Sequence, residues 1–143
     1  MDTFSKFNFP DSLIKEYKNW YLLLRFKQPT LGSLILITKP GETQYSEMGE
    51  ASFVDFSKIV KEIESVLKSK FKCQKINYLM LMMDDPEVHY HIIPRYSEGV
   101  LFHNVLFEDF GWPAMPALNK TNDIQIAIEK KLLEELIYCF KNK

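Results

Sequence analysis

The residues best suited to chemistry are crowded into one stretch, Asp84-Asp85-Pro86-Glu87-Val88-His89-Tyr90-His91-Ile92-Ile93-Pro94-Arg95-Tyr96. The chain has three histidines, and two of them stand here, two positions apart among apolar residues. Successive side chains of a β-strand point to opposite faces, so Glu87, His89, His91 and Ile93 share one face and Val88, Tyr90 and Ile92 the other. Ionisable groups aligned on one face of a sheet are expensive to bury without a task. An imidazole titrates near neutrality, so at pH 7 much of it is free to attack phosphorus or to exchange a proton with a substrate. The spacing alone establishes only that the two imidazoles could reach one substrate. The same residues allow a second reading as a metal site, since two histidines and a carboxylate suit zinc or iron. Alternate positions on a strand are splayed by about 7 Å, which works against convergence on one ion, so no metal ligand is assigned and the metal site is kept as an alternative.

The stretch ends at Pro94, which cannot donate to a ladder. Taken together, these residues resemble the histidine triad (HIT) family of nucleotide hydrolases and transferases. That family's motif is His-x-His-x-His-x-x with apolar x, often followed by Pro-Arg. Aligned on Ile92-Ile93-Pro94-Arg95, His91 matches the third histidine and His89 the second, the family's nucleophile. Glu87 stands where the first would be. The order of strands and helices extends the resemblance over most of the chain. It implies that His89 attacks an α-phosphate to give a nucleotidyl-histidine, released by water or another acceptor. His91 would donate a proton to the leaving group or hold the developing oxyanion. The substrate implied is a small nucleoside phosphoramidate, dinucleoside polyphosphate or nucleotide conjugate, handled by a homodimer without a resident cofactor. Arg25 and Gln28 fall where family members contact ribose or base. Ser33 follows Gly32, which matches a glycine opening the family's second hairpin strand, and joins them as a substrate-binding candidate.

The chain also departs from the family. Many members carry a histidine after the hairpin glycine or just beyond a following Pro-Lys, where this chain has Gly32-Ser33 and Lys39-Pro40-Gly41. A Gly-Gln-Ser-type loop ahead of the triad is replaced by Met83-Asp84-Asp85-Pro86. Asp84 and Asp85 could hold a divalent cation carried by the nucleotide, although capping a tight turn explains them more simply. Glu87 beside His89 is expected to raise the imidazole pKa and to repel an anionic substrate. At about 4 Å and an effective dielectric near 20 such a pair interacts by roughly 4 kcal/mol. Glu87 could instead serve as a general base in a third catalytic position. These departures leave an alternative function, a nucleotide-binding protein of HIT fold with little turnover.

The elements that must position these residues are legible from pattern. Trp20–Phe26 and Leu34–Thr38 are apolar runs separated by a turn with Pro29 and Gly32, which reads as an antiparallel hairpin. A short helix is expected near Ser12–Lys18. Phe53, Phe56, Ile59, Val60, Ile63, Val66 and Leu67 recur at helical steps over about 50–70, with Ser52 and Asp55 as a candidate cap. Lys75–Met83 and Glu87–Ile93 read as a second hairpin. Residues after Tyr96 lack a period and are expected to be irregular, with His103 at or near the surface and Trp112 as a core anchor. A last helix is expected over about 122–140, capped by Asn122 or Asp123. Arg95 is expected to pin the strand end. The whole is one α+β domain over 1–143, with an antiparallel sheet of about five strands, a long helix and a C-terminal helix.

Composition bounds the rest. Hydrophobic residues make up 46% and aromatic residues 14%, which argues against disorder. Balanced charge, 18 basic against 19 acidic residues, provides no global field for a nucleic acid. No stretch suits a membrane span, and the first residues lack the apolar core of a signal peptide. Cys73 and Cys139 have no metal-ligand spacing and read as buried reduced thiols, the pattern of a cytoplasmic protein.

Overall fold

The computed structural model of the chain describes residues 2–143. In chain order it has α1 (Thr3–Lys6), β1 (Leu13–Glu16), β2 (Trp20–Leu24), β3 (Leu34–Thr38), α2 (Glu50–Phe71), β4 (Lys75–Leu79), β5 (His89–Arg95), β6 (Val100–Phe102), β7 (Val105–Phe107) and α3 (Ile126–Lys141). Five strands form one antiparallel sheet in the order β1-β2-β3-β5-β4, and β6 and β7 form a separate two-stranded ribbon. This is the expected α+β architecture.

The period-2 pattern divides the sheet into two faces. Trp20, Leu22, Leu24, Leu34, Leu36 and Ile92 face α2 and α3, which cover them with Ile59, Ile63, Leu67, Leu132, Leu136 and Phe140. Leu23, Ile35 and Ile37 point the other way and are packed by Phe7, with Phe4 and Phe9 at the margin. His89 pairs with Ile37 and His91 with Ile35, so both histidines belong to this second face.

Gly32 closes the β2–β3 hairpin with φ +85°, and a Cβ there would lie 2.8 Å from the ring of Phe71 at the end of α2. The turn therefore needs glycine both for its left-handed backbone and for the approach of the helix.

Several expected boundaries are moved by specific polar contacts. Residues 13–16 form an edge strand rather than a helix, because the Lys15 and Glu16 backbone pairs with Leu22 and Tyr21. Helix α2 starts at Glu50 with Gly49 as its N-cap. Ser52 is already inside, its carbonyl accepting from the Trp20 indole at 2.8 Å, and the Asp55 carboxylate accepts from Asn19 N–H at 2.9 Å. Phe53 stays exposed, resting edge-on against Tyr45. Asn122 does not cap α3, whose N-cap is Gln125. Its buried amide instead donates to the Gln28 and Glu108 carbonyls and accepts from Glu108 N–H, tying the C-terminal segment to the β2–β3 turn. The segment after Tyr96 is more regular than its composition suggests, because His103 and Asn104, at φ +47° and +64°, make the tight reversal that joins β6 to β7. Trp112 is half-buried rather than a core anchor. Cys73 is buried and Cys139 partly so, both as free thiols. No helix among the described residues is long and apolar enough to cross a membrane.

Gly32→Ala should destabilise the fold by about 2–4 kcal/mol, from a strained left-handed backbone and a clash with Phe71. Denaturant unfolding of the variant against the wild type would measure it.

Candidate active site

Strand β5 lies between β3 and β4, and that position holds the two imidazoles rigidly side by side. Their rings are 4.9 Å apart between centroids at 71°, with Nε2 to Nε2 at 3.3 Å. His89 Nδ1 lies 2.7 Å from the backbone carbonyl of Glu87. A carbonyl can only accept, so Nδ1 carries the proton and Nε2 of neutral His89 presents a lone pair. The short contact between the two Nε2 atoms then requires a proton on His91 Nε2. His91 Nδ1 is left as a bare acceptor, and it is indeed buried without a partner.

This arrangement resists protonation. Burial lowers the pKa of His89, outweighing the opposite pull of the Glu87 carbonyl and of the Asp85 and Glu87 carboxylates. His91 is pushed down to about 4, first by burial and then by the neighbouring His89 and Arg25. An imidazolium at His91 would also place an N–H on Nδ1 with nothing to receive it. The expectation that Glu87 raises the imidazole pKa thus has the right sign for its own contribution but loses to desolvation.

Glu87 itself is committed elsewhere. Its carboxylate accepts from Thr3 N–H at 2.9 Å, and its own N–H donates to Thr3 Oγ1 at 3.2 Å. Asp85 forms an ion pair with Lys6 at 2.8 Å rather than capping its own turn, while Asp84 is exposed. The metal alternative is not supported: among the described residues no three His, Cys, Asp or Glu side chains are placed to hold an ion.

The remaining candidates divide. Arg25 stands close enough to influence His91, its Nη1 donates to the Lys27 carbonyl at 2.9 Å, and its Nε is buried without a partner. Gln28 is fully buried and spends its amide inside the turn, donating to Ser33 O at 2.9 Å and accepting from Gly32 N–H at 2.8 Å. Ser33 is equally buried, donating to Thr30 O at 2.8 Å. The structure therefore makes Gln28 and Ser33 turn-formers rather than substrate contacts. Arg95 does pin the strand end, through a buried ion pair with Asp109 at 2.7 Å and a bond to Asn77 at the same distance.

The residues that sequence reasoning missed come from the N-terminal segment. The Phe7 ring lies 5.8 Å from that of His89 and 5.7 Å from that of His91, and under it His89 has no exposed surface and His91 only 5%. The available signal was the recurrence of phenylalanine at positions 4, 7 and 9 in an otherwise polar stretch.

No family model matches the sequence, and no curated protein sequence matches it either. Solved structures do. A histidine triad protein from Bradyrhizobium japonicum superposes with a TM-score of 0.69 at 19% identity, covering 92% of this chain and 88% of that one. One from Marinobacter aquaeolei gives a TM-score of 0.71 at 18% identity, covering 91% and 88%. The diadenosine triphosphate hydrolase of Plasmodium falciparum gives 0.62 at 16% identity, covering 93% and 76%. The chain has the histidine triad fold.

Acidification should cost stability through His91. Its folded pKa of about 4 lies below the usual 6.5, so between those values the unfolded chain binds the extra proton and stability falls as pH drops. The full loss is on the order of 3 kcal/mol. Unfolding free energies at pH 7 and pH 4.5 should diverge more in the wild type than in His91→Gln.

Proposed function

We propose that this protein is a nucleotide hydrolase or nucleotidyltransferase acting at the α-phosphate of a small nucleotide conjugate through His89. The observation that carries the reading is the hydrogen bond from His89 Nδ1 to the Glu87 carbonyl, which leaves Nε2 unprotonated at neutral pH. In the reaction Nε2 attacks the α-phosphorus, an N–P bond forms, and the bond from phosphorus to the leaving group breaks. The leaving group departs with the bonding pair and takes a proton from solvent. Water or another acceptor then attacks phosphorus and releases its proton to solvent, the N–P bond breaks with its pair returning to Nε2, and neutral His89 is regenerated.

Neutral His91 fits the second of its two expected roles. An imidazolium at a site titrating near 4 is scarce at pH 7, whereas the Nε2–H of the neutral ring, released by His89 Nε2 when that atom bonds phosphorus, can donate to a phosphoryl oxygen as charge builds there. Arg25 adds a positive charge beside the same face. Diadenosine triphosphate, the substrate in the name of the Plasmodium falciparum relative, and adenosine phosphoramidates are the first compounds to screen, with and without a divalent cation. A binding protein with little turnover is the second reading. The closed cover over both rings favours it, since neither imidazole is open to solvent.

His89→Ala should abolish turnover and leave nucleotide binding within a few-fold, while quenched wild-type protein should yield a nucleotidyl adduct on His89 by mass spectrometry. Turnover surviving in His89→Ala would rule out the covalent route.

We further propose a homodimer. Strand β4 has a neighbour on one side only, and a half-exposed edge invites pairing with a second copy. Light scattering at micromolar concentration should give twice the chain mass, and a strict monomer would refute it.

A further inference from the structure

The contacts of residues 2–8 converge on the histidine face. We infer that this segment is an autoinhibitory strap, latched by Glu87, which must lift before a phosphate can reach His89. The inference rests on the reading of His89 and His91 as the reacting pair. Phe7 packs against both imidazoles at once, so the ground a phosphate would need is already filled.

The latch is local and polar. Thr3 and Glu87 exchange two hydrogen bonds across 84 positions of sequence, and Lys6 pairs with Asp85 in the same loop before β5. Helix α1 has only four residues, too short to persist on its own, so its order depends on these contacts. The far end of the segment is anchored on β2, where Phe9 packs on Tyr21 with centroids 4.7 Å apart and Phe4 reaches both rings, and Ser12 Oγ donates to the Phe7 carbonyl at 2.6 Å. Asn8, between cover and anchor, has a left-handed φ of +67° and marks the point about which the strap would turn.

The same place offers a trigger. A cavity of about 150 Å³ beside Phe7 is lined by Lys6, Asn8, Arg25 and Lys27. A polyphosphate settling there would compete with Asp85 for Lys6 and so loosen the second tie. Glu87, the residue that replaces a family histidine, becomes the acceptor that holds the strap closed rather than a reacting group.

Reaction of the intact chain with diethyl pyrocarbonate, followed by peptide mapping, tests this without relying on turnover. His103, with 40% of its side chain exposed, serves as the internal reference. In the wild type His89 and His91 should react at least about tenfold more slowly than His103, as expected for groups exposed only by local opening. Thr3→Pro removes both the donor and the acceptor of the latch. Proline is tolerated at a first helical position, and Asp2 already has the extended backbone, ψ 171°, that a residue before proline prefers. This variant should raise the reactivity of both buried histidines about tenfold, leave that of His103 unchanged and lower the melting temperature by only a few degrees, and Phe7→Ala should unmask them further. Equal reactivity of all three histidines in the wild type would overturn the strap, as would unchanged protection in both variants. If the histidines are unmasked and neither variant hydrolyses any nucleotide, the strap stands and the nucleotidyl-transfer reading fails. If turnover is present, kcat/KM should rise with the unmasking.

Discussion

Two imidazoles with Nε2 atoms 3.3 Å apart need a single proton between them, and their burial disfavours a charge on either ring. That constraint propagates outward. It requires a fixed acceptor for His89 Nδ1, which the Glu87 carbonyl supplies, and it requires that strand β5 not shift. Pairing with β3 along one edge and β4 along the other meets the second need. Arg95, clamped by Asp109 and Asn77, ties down the far end of the strand. A slip of one residue would turn both histidines into the helix-packed core, where Tyr90 and Ile92 now sit.

A pair of neutral rings is also a moderately apolar surface, and this explains what covers it. An aromatic ring loses little by lying on imidazoles that carry no charge, and Phe7 does so from an otherwise polar segment. If either ring were charged, the same cover would be costly, because it excludes the water that would solvate the cation. Neutrality, burial and cover therefore reinforce one another. On the proposed reaction, substrate binding has to undo the cover while keeping the neutrality, since a protonated Nε2 has no lone pair to offer phosphorus.

The sheet and the placement of the histidines were legible because both rest on strict periodicity. Alternation along the expected strand 87–93 put His89 and His91 on one face, although the observed strand runs His89–Arg95 and leaves Glu87 in the loop before it. The apolar runs expected at 20–26 and 34–38 hold the observed hairpin strands at 20–24 and 34–38. What was not legible depends on contacts distant in sequence. Residues 13–16 are a strand only because β2 offers them a partner. Ser52 and Asn122 both look like caps, yet each is used by a residue from another part of the chain. Gln28 and Ser33 occupy positions suggestive of ligand contact, but a tight turn leaves buried carbonyls and N–H groups that need exactly such short polar side chains. Phe7 escaped notice because nothing local requires a phenylalanine there.

Glu87 can be read in two ways. By sequence spacing it stands where the resemblance expects a histidine and brings a negative charge close to His89. Taken in three dimensions, its carboxylate faces Thr3 and accepts a backbone N–H at 2.9 Å. Its backbone carbonyl, which any residue would provide, is the group that orients His89. Side chain and main chain of the same residue thus serve different ends, the carboxylate tying down the N-terminal segment and the carbonyl fixing the tautomer of His89. A histidine at position 87 could not supply an anionic acceptor to Thr3, so the carboxylate at this position and the tie to the N-terminal segment go together.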